Sequence, residues 1–305
     1  MKKFLTRVIL NLFIVIALMI VTLLYAYYYS YRENRVPHIK YSSFHKGIGE
    51  NDTIGLVLGS SHTFYGIDSK LLNGSVFNFA STSQSLMEDF SILKHIENPI
   101  ERVIIPISYF SNWHYLYKAP IGGEKLRTID YQSIYNIDYP AFLNMEDIWN
   151  FISELSKSIL KQNTERFDKM GNLNGQCDSI GNEIMDAKEA FGRHNLGKDF
   201  NHLNPYLDSI NMFCTKNKIE LYLIVMPYTN QYRSYTRAGG FDLYLEQISE
   251  KYNNKNCRIL DFRNQFEISD EPIMFRDADH LSFCGRSVFS KFLNKQIELT
   301  TSKSN

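Results

Sequence analysis

The chain has 305 residues, 44% hydrophobic and 22% charged, and its 33 basic and 33 acidic side chains cancel to a formal net charge of zero. That is enough apolar material for about one large domain, and the lack of a basic stripe or acidic block argues against nucleic acid as a partner. The four cysteines, Cys177, Cys214, Cys257 and Cys284, form no Cys-x-x-Cys pair and no zinc-like Cys/His spacing. This argues against a structural zinc and leaves disulfides and buried thiols both open.

From Val8 to about Tyr28 the sequence carries no charge, and about 20 such residues at 1.5 Å each cover a bilayer core of roughly 30 Å. Lys2, Lys3 and Arg7 form a short basic head, while Leu24 and the tyrosines after Ala26 spoil a small-x-small cleavage site. Residues 1–29 therefore read as an uncleaved signal anchor with interfacial aromatics at Tyr25, Tyr27, Tyr28 and Tyr29. Arg32, Arg35 and Lys40 nearly balance the basic head, but a basic head followed at once by an apolar segment is export geometry, which puts the bulk of the chain outside the cytoplasm. Residues 30–50, with Pro37, Ser42, Ser43 and Gly47, read as a polar stalk, and a domain is expected over 51–305 with an insertion at about 109–200.

Within that domain, Thr53 to Leu58 is an almost unbroken apolar run, as a strand buried on both faces requires. Further strands are expected at Ser75 to Phe79, Arg102 to Ile107, Ile219 to Met226 and Arg258 to Phe262, with Pro106 marking a strand end. Helical spacing predicts helices over Gln84 to Ile96, Met145 to Lys161, Leu203 to Cys214, Phe241 to Tyr252 and Phe283 to Leu299, and a short one near Asn182 to Phe191. The last helix is expected to turn Val288, Phe289, Phe292 and Leu293 inward. Strands alternating with helices predict a three-layer α/β/α fold with a mostly parallel sheet of about five strands.

Two stretches carry chemistry. The first strand runs into Gly59-Ser60-Ser61-His62, where a glycine permits a sharp turn that presents a serine at the carboxyl edge of the sheet. Near the other end, FRDADHLSFCG places Asp277 three residues before His280, just ahead of a helix. A serine hydroxyl becomes an effective nucleophile when an imidazole takes its proton and a carboxylate holds that imidazole in the right tautomer. Asp279, adjacent to His280, remains open as the orienting acid. His62 reads as a packing or hydrogen-bonding residue of the turn. Tyr109, Phe110, Trp113, Tyr115 and Tyr117 crowd the segment after the third strand, either as an aromatic binding loop or as an insertion packing its own core.

Together the stretches resemble the SGNH (GDSL-like) hydrolase superfamily, over about residues 51–299. Its first block is a strand followed by G-D-S, here Gly59-Ser60-Ser61, and its last is D-x-x-H before the C-terminal helix, here Asp277 to His280. LGSSHTFYGID with the N-terminal anchor is most similar to the membrane-tethered branches that include alginate O-acetylation proteins and the D-alanyl transfer protein of teichoic acid modification. The resemblance implies Ser61 as nucleophile, His280 as proton shuttle, Asp277 as orienting acid, and no metal or organic cofactor. Two family blocks are altered. The second offers a glycine N–H to the oxyanion, but this chain has Asn78 to Ser83 without glycine; the third is G-x-N-D, but this chain has Ser108 to Asn112. The resemblance then leaves either an oxyanion hole rebuilt from the Ser61 N–H and the Ser81 to Ser83 turn, with Asn112 close enough to join, or a weak activity; Trp113 of the aromatic segment is the expected substrate contact.

The expected function is that of a membrane-anchored, extracytoplasmic esterase or O-acyltransferase. Its implied substrate is an acyl ester on a cell-surface glycan, with room for a membrane-bound acyl-transfer partner. The competing reading is a weak or inactive glycan-binding or assembly protein on the same fold. A reporter fused after Asn305 tests the topology: activity confined to the non-cytoplasmic side, on a membrane-retained chain, is the expected outcome.

Overall fold

The computed structural model describes residues 2–26, 35–119, 122–125, 127–140, 153, 167–177, 187–195, 198, 200, 202–254, 256–264 and 271–302. Five strands, β1 (Ile54–Val57), β2 (Val76–Asn78), β3 (Ile100–Pro106), β4 (Glu220–Val225) and β5 (Cys257–Asp261), form one sheet in the order β2-β1-β3-β4-β5. Every neighbouring pair is parallel, and helices cover both sides. Two-sided cover explains why β1 and β4 are nearly all apolar: every residue of β1, and all of β4 except Glu220, is buried. Pro106, which lacks an N–H to give a ladder, sits at the very end of β3.

This strand order reverses direction between β1 and β3, and in such sheets the crevice outside the carboxyl ends at that point is where ligands bind. The segments leaving β1 and β3 are Gly59-Ser60-Ser61 and Ser108 to Trp113, so both chemistry-bearing stretches of the first half start beside that crevice.

Among the described residues the helices of six residues or more are α1 (Lys2–Ala26), α2 (Val36–Gly47), α3 (Ser61–Gly66), α4 (Leu86–His95), α5 (Arg127–Tyr135), α6 (Ala187–His194), α7 (Pro205–Lys216), α8 (Asn230–Ala238), α9 (Phe241–Tyr252) and α10 (Phe283–Ser302), with a single helical turn at Gly122–Lys125 and short 3-10 turns between them. Local chemistry starts several of them. Ser85 and Glu88 close a capping box at α4. Asn204 accepts from the Tyr206 N–H with Pro205 at the first position of α7, and Thr229 caps α8. The helix expected at 145–161 lies outside the described residues.

Several elements depart from the sequence reading, α3 and α5 among them, which were not expected as helices. Residues 36–47, expected within a polar stalk, form α2, which buries Pro37, Lys40 and Phe44; Phe44 packs edge-on against Phe77 at 5.2 Å. α8 was not anticipated, because its nine residues, NQYRSYTRA, hold almost no strongly apolar side chain and only Tyr232 and Thr236 are buried. On α10, Phe289 and Leu293 are fully buried as expected, but Val288 is 43% exposed.

α1 contains one stretch, Lys3–Tyr25, long and apolar enough to cross a membrane, with a mean hydropathy of 2.8 and none of it buried against the domain. The sequence left the cysteines undecided. Cys177 and Cys284 form a disulfide across 107 residues, whereas Cys214 and Cys257 are buried free thiols. Cross-links that close long loops restrict the unfolded chain most, by about 2–5 kcal/mol. Replacing both Cys177 and Cys284 by Ser is expected to lower the unfolding free energy by about 2–4 kcal/mol, read from urea denaturation of the full chain in detergent.

Candidate active site

The turn after β1 is held by contacts that only glycine allows. Gly59 adopts φ +105°, and a Cβ there would lie 2.2 Å from Pro106 Cδ at the end of β3. Its N–H donates to Asp89 Oδ1 at 2.8 Å, its carbonyl accepts from the Ser81 N–H at 3.0 Å, and Gln84 Nε2 donates to the same Asp89 oxygen at 2.6 Å. Ser60 follows with its Oγ buried and without a hydrogen-bond partner. α3 then begins at Ser61, and Thr63 Oγ1 donates back to the Leu58 carbonyl at 2.8 Å, fastening the helix to the strand.

The second half of the site is a tight loop ahead of α10. Phe275 and Leu281 form an isolated antiparallel bridge, the Arg276 N–H donates to the His280 carbonyl at 2.9 Å, and Ser282 Oγ donates to the Ile273 carbonyl at 2.6 Å. Inside it, Asp277 Oδ1 accepts from the His280 N–H at 2.8 Å and lies 2.8 Å from His280 Nδ1. His280 Nε2 lies 2.7 Å from Ser61 Oγ. With Nδ1–H donating to Asp277, Nε2 is left as the acceptor for the Ser61 hydroxyl. Ser61, His280 and Asp277, brought together from sequence separations of 219 and 3, have the geometry of a nucleophile, a base and an orienting acid. Burial pushes the His280 pKa down, but the Asp279 charge and then Asp277 more than reverse it, so it is raised.

Behind this set is a second, buried layer. His62 Nε2 donates to Asp279 Oδ2 at 2.9 Å, and its Nδ1 lies 2.5 Å from Ser108 Oγ; His62 is thus a hydrogen-bonding residue of the turn. Burial lowers its pKa. His194, its Nδ1 at 2.6 Å from the Tyr232 hydroxyl, is pushed down to about 3 by burial. Donor atoms of His62, Asp279 and His280 lie within 4.8 Å of one another; His62 bonds to Asp279 and Ser108, and His280 to Asp277 and Ser61, so all four imidazole nitrogens are engaged in hydrogen bonds.

Ser61, Asp277 and His280 open onto a cleft of about 870 Å³. Trp113 lines it on the same side of the sheet and donates from Nε1 to the His194 carbonyl at 3.2 Å. Asn112 also reaches the cleft, but its side-chain amide donates to the His202 carbonyl at 2.7 Å and its Oδ1 accepts from the Asn204 N–H at 2.8 Å. Ser81 is 2% exposed, and its N–H is held by Gly59 rather than facing the cleft. Thr82 and Ser83 of the same turn do line the cleft, with Ser83 at φ 60°.

Sequence reasoning gave no role to His194, Tyr65 or Arg276. All three line the cleft, and Arg276 stacks over the Tyr65 ring at 4.4 Å. Tyr65 was reachable, standing one helical turn after Ser61, and Arg276 as the neighbour of Asp277. His194 comes from a distant polar segment and left no local signal.

No family model and no curated protein matches the chain. Among solved structures it is similar to a Streptococcus pneumonia protein provisionally described as a platelet activating factor. The identity is 12% over 91% of this chain and 98% of that one, with a TM-score of 0.42.

The carboxyl that receives the Gly59 N–H is itself unusual: burial pushes Asp89 up to about 7, against the opposing hydrogen bonds from Gln84 and Gly59. Because this folded-state pKa lies above the unfolded value of about 3.9, the contribution of Asp89 to stability is complete below about pH 4 and is lost as pH rises through about 7. Asp89→Asn, which cannot ionise, is therefore expected to gain stability relative to wild type by about 3 kcal/mol between pH 5 and pH 8. Urea denaturation at the two pH values measures it.

Proposed function

We propose that this protein is a serine esterase or O-acyltransferase of the SGNH type, anchored by α1, with its domain outside the cytoplasm. The observation that carries the reading is Ser61 Oγ at 2.7 Å from His280 Nε2, with Asp277 on the opposite ring nitrogen at 2.8 Å.

In the proposed reaction Ser61 Oγ attacks the ester carbonyl carbon. The carbonyl π pair moves to oxygen, and the Ser61 proton passes to His280 Nε2. Collapse of the tetrahedral intermediate breaks the bond to the leaving alcohol, whose oxygen takes that proton from His280. The acyl group left on Ser61 is then released to water, or to an acceptor hydroxyl, by the same steps in reverse. The Ser61 N–H, at the first position of α3 and without an intrahelical acceptor, is proposed as one backbone donor to the oxyanion. The Thr82–Ser83 turn is proposed as its partner, since the Asn112 amide and the Ser81 N–H are engaged elsewhere.

Two features support an extracytoplasmic location: the apolar N-terminal helix and the Cys177–Cys284 disulfide, since such bonds persist where the surroundings are oxidising. Trp113, Tyr115 and Tyr65 along the cleft supply flat apolar surfaces of the kind on which sugar rings pack, which favours a cell-surface glycan as acyl carrier or acceptor. A membrane-bound acyl donor protein is the proposed partner for the transferase form.

Fluorophosphonate labelling of the full chain in detergent tests the chemistry. Wild type and Ser60→Ala are expected to label, while Ser61→Ala and His280→Ala are expected to fall by at least about a thousandfold. Labelling that survives Ser61→Ala but disappears in Ser60→Ala would show that the wrong serine was chosen. A folded wild type that neither labels nor turns over an ester would favour the non-catalytic, glycan-binding reading, which the altered oxyanion segments make the natural competitor.

A further inference from the structure

The base of this site is flanked by a second carboxylate for which the triad has no use. Asp279 is 2% exposed. Its Oδ2 accepts from His62 and lies 3.7 Å from His194 Nδ1, while its Oδ1 has no hydrogen-bond partner and lies 3.5 Å from His280 Nδ1. Three imidazoles from α3, α6 and the loop before α10 thus converge on one buried carboxylate.

Leaving one oxygen of a buried carboxylate unbonded is costly unless a charge faces it. Neither His62 nor His194 supplies that charge, because burial holds both neutral. The remaining charged groups around His280 are Asp277 and Arg276 of its own loop. Asp277 is anionic and already bonded to Nδ1, and Arg276 is turned onto Tyr65. From α3 it faces Ser61, His62 and Tyr65, and behind Asp279 stands the neutral Tyr232, whose hydroxyl pKa burial raises. Arg193 is the other cation near this cluster, acting on His194 and Tyr232, but among the described residues the group facing Asp279 Oδ1, at 3.5 Å, is His280, and it becomes positive on taking the proton of Ser61.

We propose that Asp279 is a positioning residue for the reaction, a second carboxylate that stabilises the His280 imidazolium while the His62–Ser108 chain fixes its own orientation. It accepts no proton and makes no contact with substrate; it acts through His280. Its purpose rests on the Ser61 and His280 reading above. The low pKa of Asp279, held down by the His280 charge and the His62 hydrogen bond against the upward push of burial, agrees with this coupling.

The test reads His280 directly. The full chain, labelled with ¹⁵N-histidine in detergent micelles, is titrated by NMR, and fluorophosphonate labelling rates are followed over the same pH range. In wild type, His280 is expected to titrate above the ordinary imidazole value of about 6.5. Asp279→Asn is expected to lower that midpoint by about one unit or more, to move the pH limb of labelling down with it, and to slow labelling at high pH by up to roughly tenfold. A folded Asp279→Asn with an unchanged midpoint, or with labelling slowed equally at every pH, would overturn the proposal. Should that variant not fold, Asp277→Asn serves, since its site is partly exposed. With Asp279 intact, His280 should still titrate at or above about 6.5, and a midpoint below this overturns the proposal. Wild type that titrates as expected but never labels would refute the acyl-transfer reading while leaving Asp279 supported.

Discussion

Gly59 has to take a left-handed backbone with Pro106 pressed against it, and the placement of Ser61 depends on that constraint. The two residues meet because β1 and β3 are neighbours in register, Val57 opposite Ile104, so the end of β3 arrives beside the turn that leaves β1. With no Cβ to accommodate, the chain folds back at once, α3 starts two residues later, and the Ser61 hydroxyl meets His280 at the cleft while the Ser60 Oγ is buried. A larger residue at 59 would have to push on Pro106, whose ring cannot move without moving the strand. The hydrogen bonds from Gly59 to Asp89 and from Ser81 to Gly59 then fix the turn from the opposite side.

His280 is positioned by an independent set of contacts. Its loop is closed by backbone bonds between Arg276 and His280 and between Ser282 and Met274, and is pinned two residues further on by the Cys177–Cys284 disulfide. Gly285 permits this closure, because a Cβ there would lie 2.0 Å from the Met274 carbonyl oxygen. A side chain on rigid support loses little entropy when it forms a further bond. The Ser61–His280 contact therefore joins two elements that are each already ordered.

What the sequence made legible follows the range of the interactions involved. The buried strands are continuous apolar runs, and the Gly59 turn and the Asp277–His280 spacing are local patterns, so the sheet and the three side chains that meet at the cleft, Ser61, His280 and Asp277, could be read from short windows. α2 could not, because Lys40 and Phe44 are buried by partners far along the chain: Lys40 by the Ala80 carbonyl and Phe44 by Phe77. Asn112 and Ser81 illustrate the same limit. A polar residue near a site is an oxyanion candidate until its partners are known, and theirs are His202, Asn204 and Gly59. The two acids of DADH both proved close to His280, but only the folded chain separates the one bonded to it from the one bonded to His62.

The arrangement of those two acids bears on the sign of their effect. Each carboxylate close to a reacting centre should stabilise an imidazolium and destabilise an oxyanion, and in the proposed acyl transfer the two charges would develop together. Coulomb energy falls as the inverse of distance, so the net effect depends on which charge is nearer. Asp277 and Asp279 both face Nδ1, at 2.8 and 3.5 Å, whereas Ser61 Oγ lies at Nε2, on the other edge of the ring. An oxyanion formed on a carbonyl attacked by Ser61 lies beyond that oxygen, separated from both carboxylates by the imidazole itself. Attraction to the imidazolium therefore acts at contact and repulsion of the oxyanion acts across the ring. Moving either acid to the cleft side would reverse that balance without changing the composition of the site.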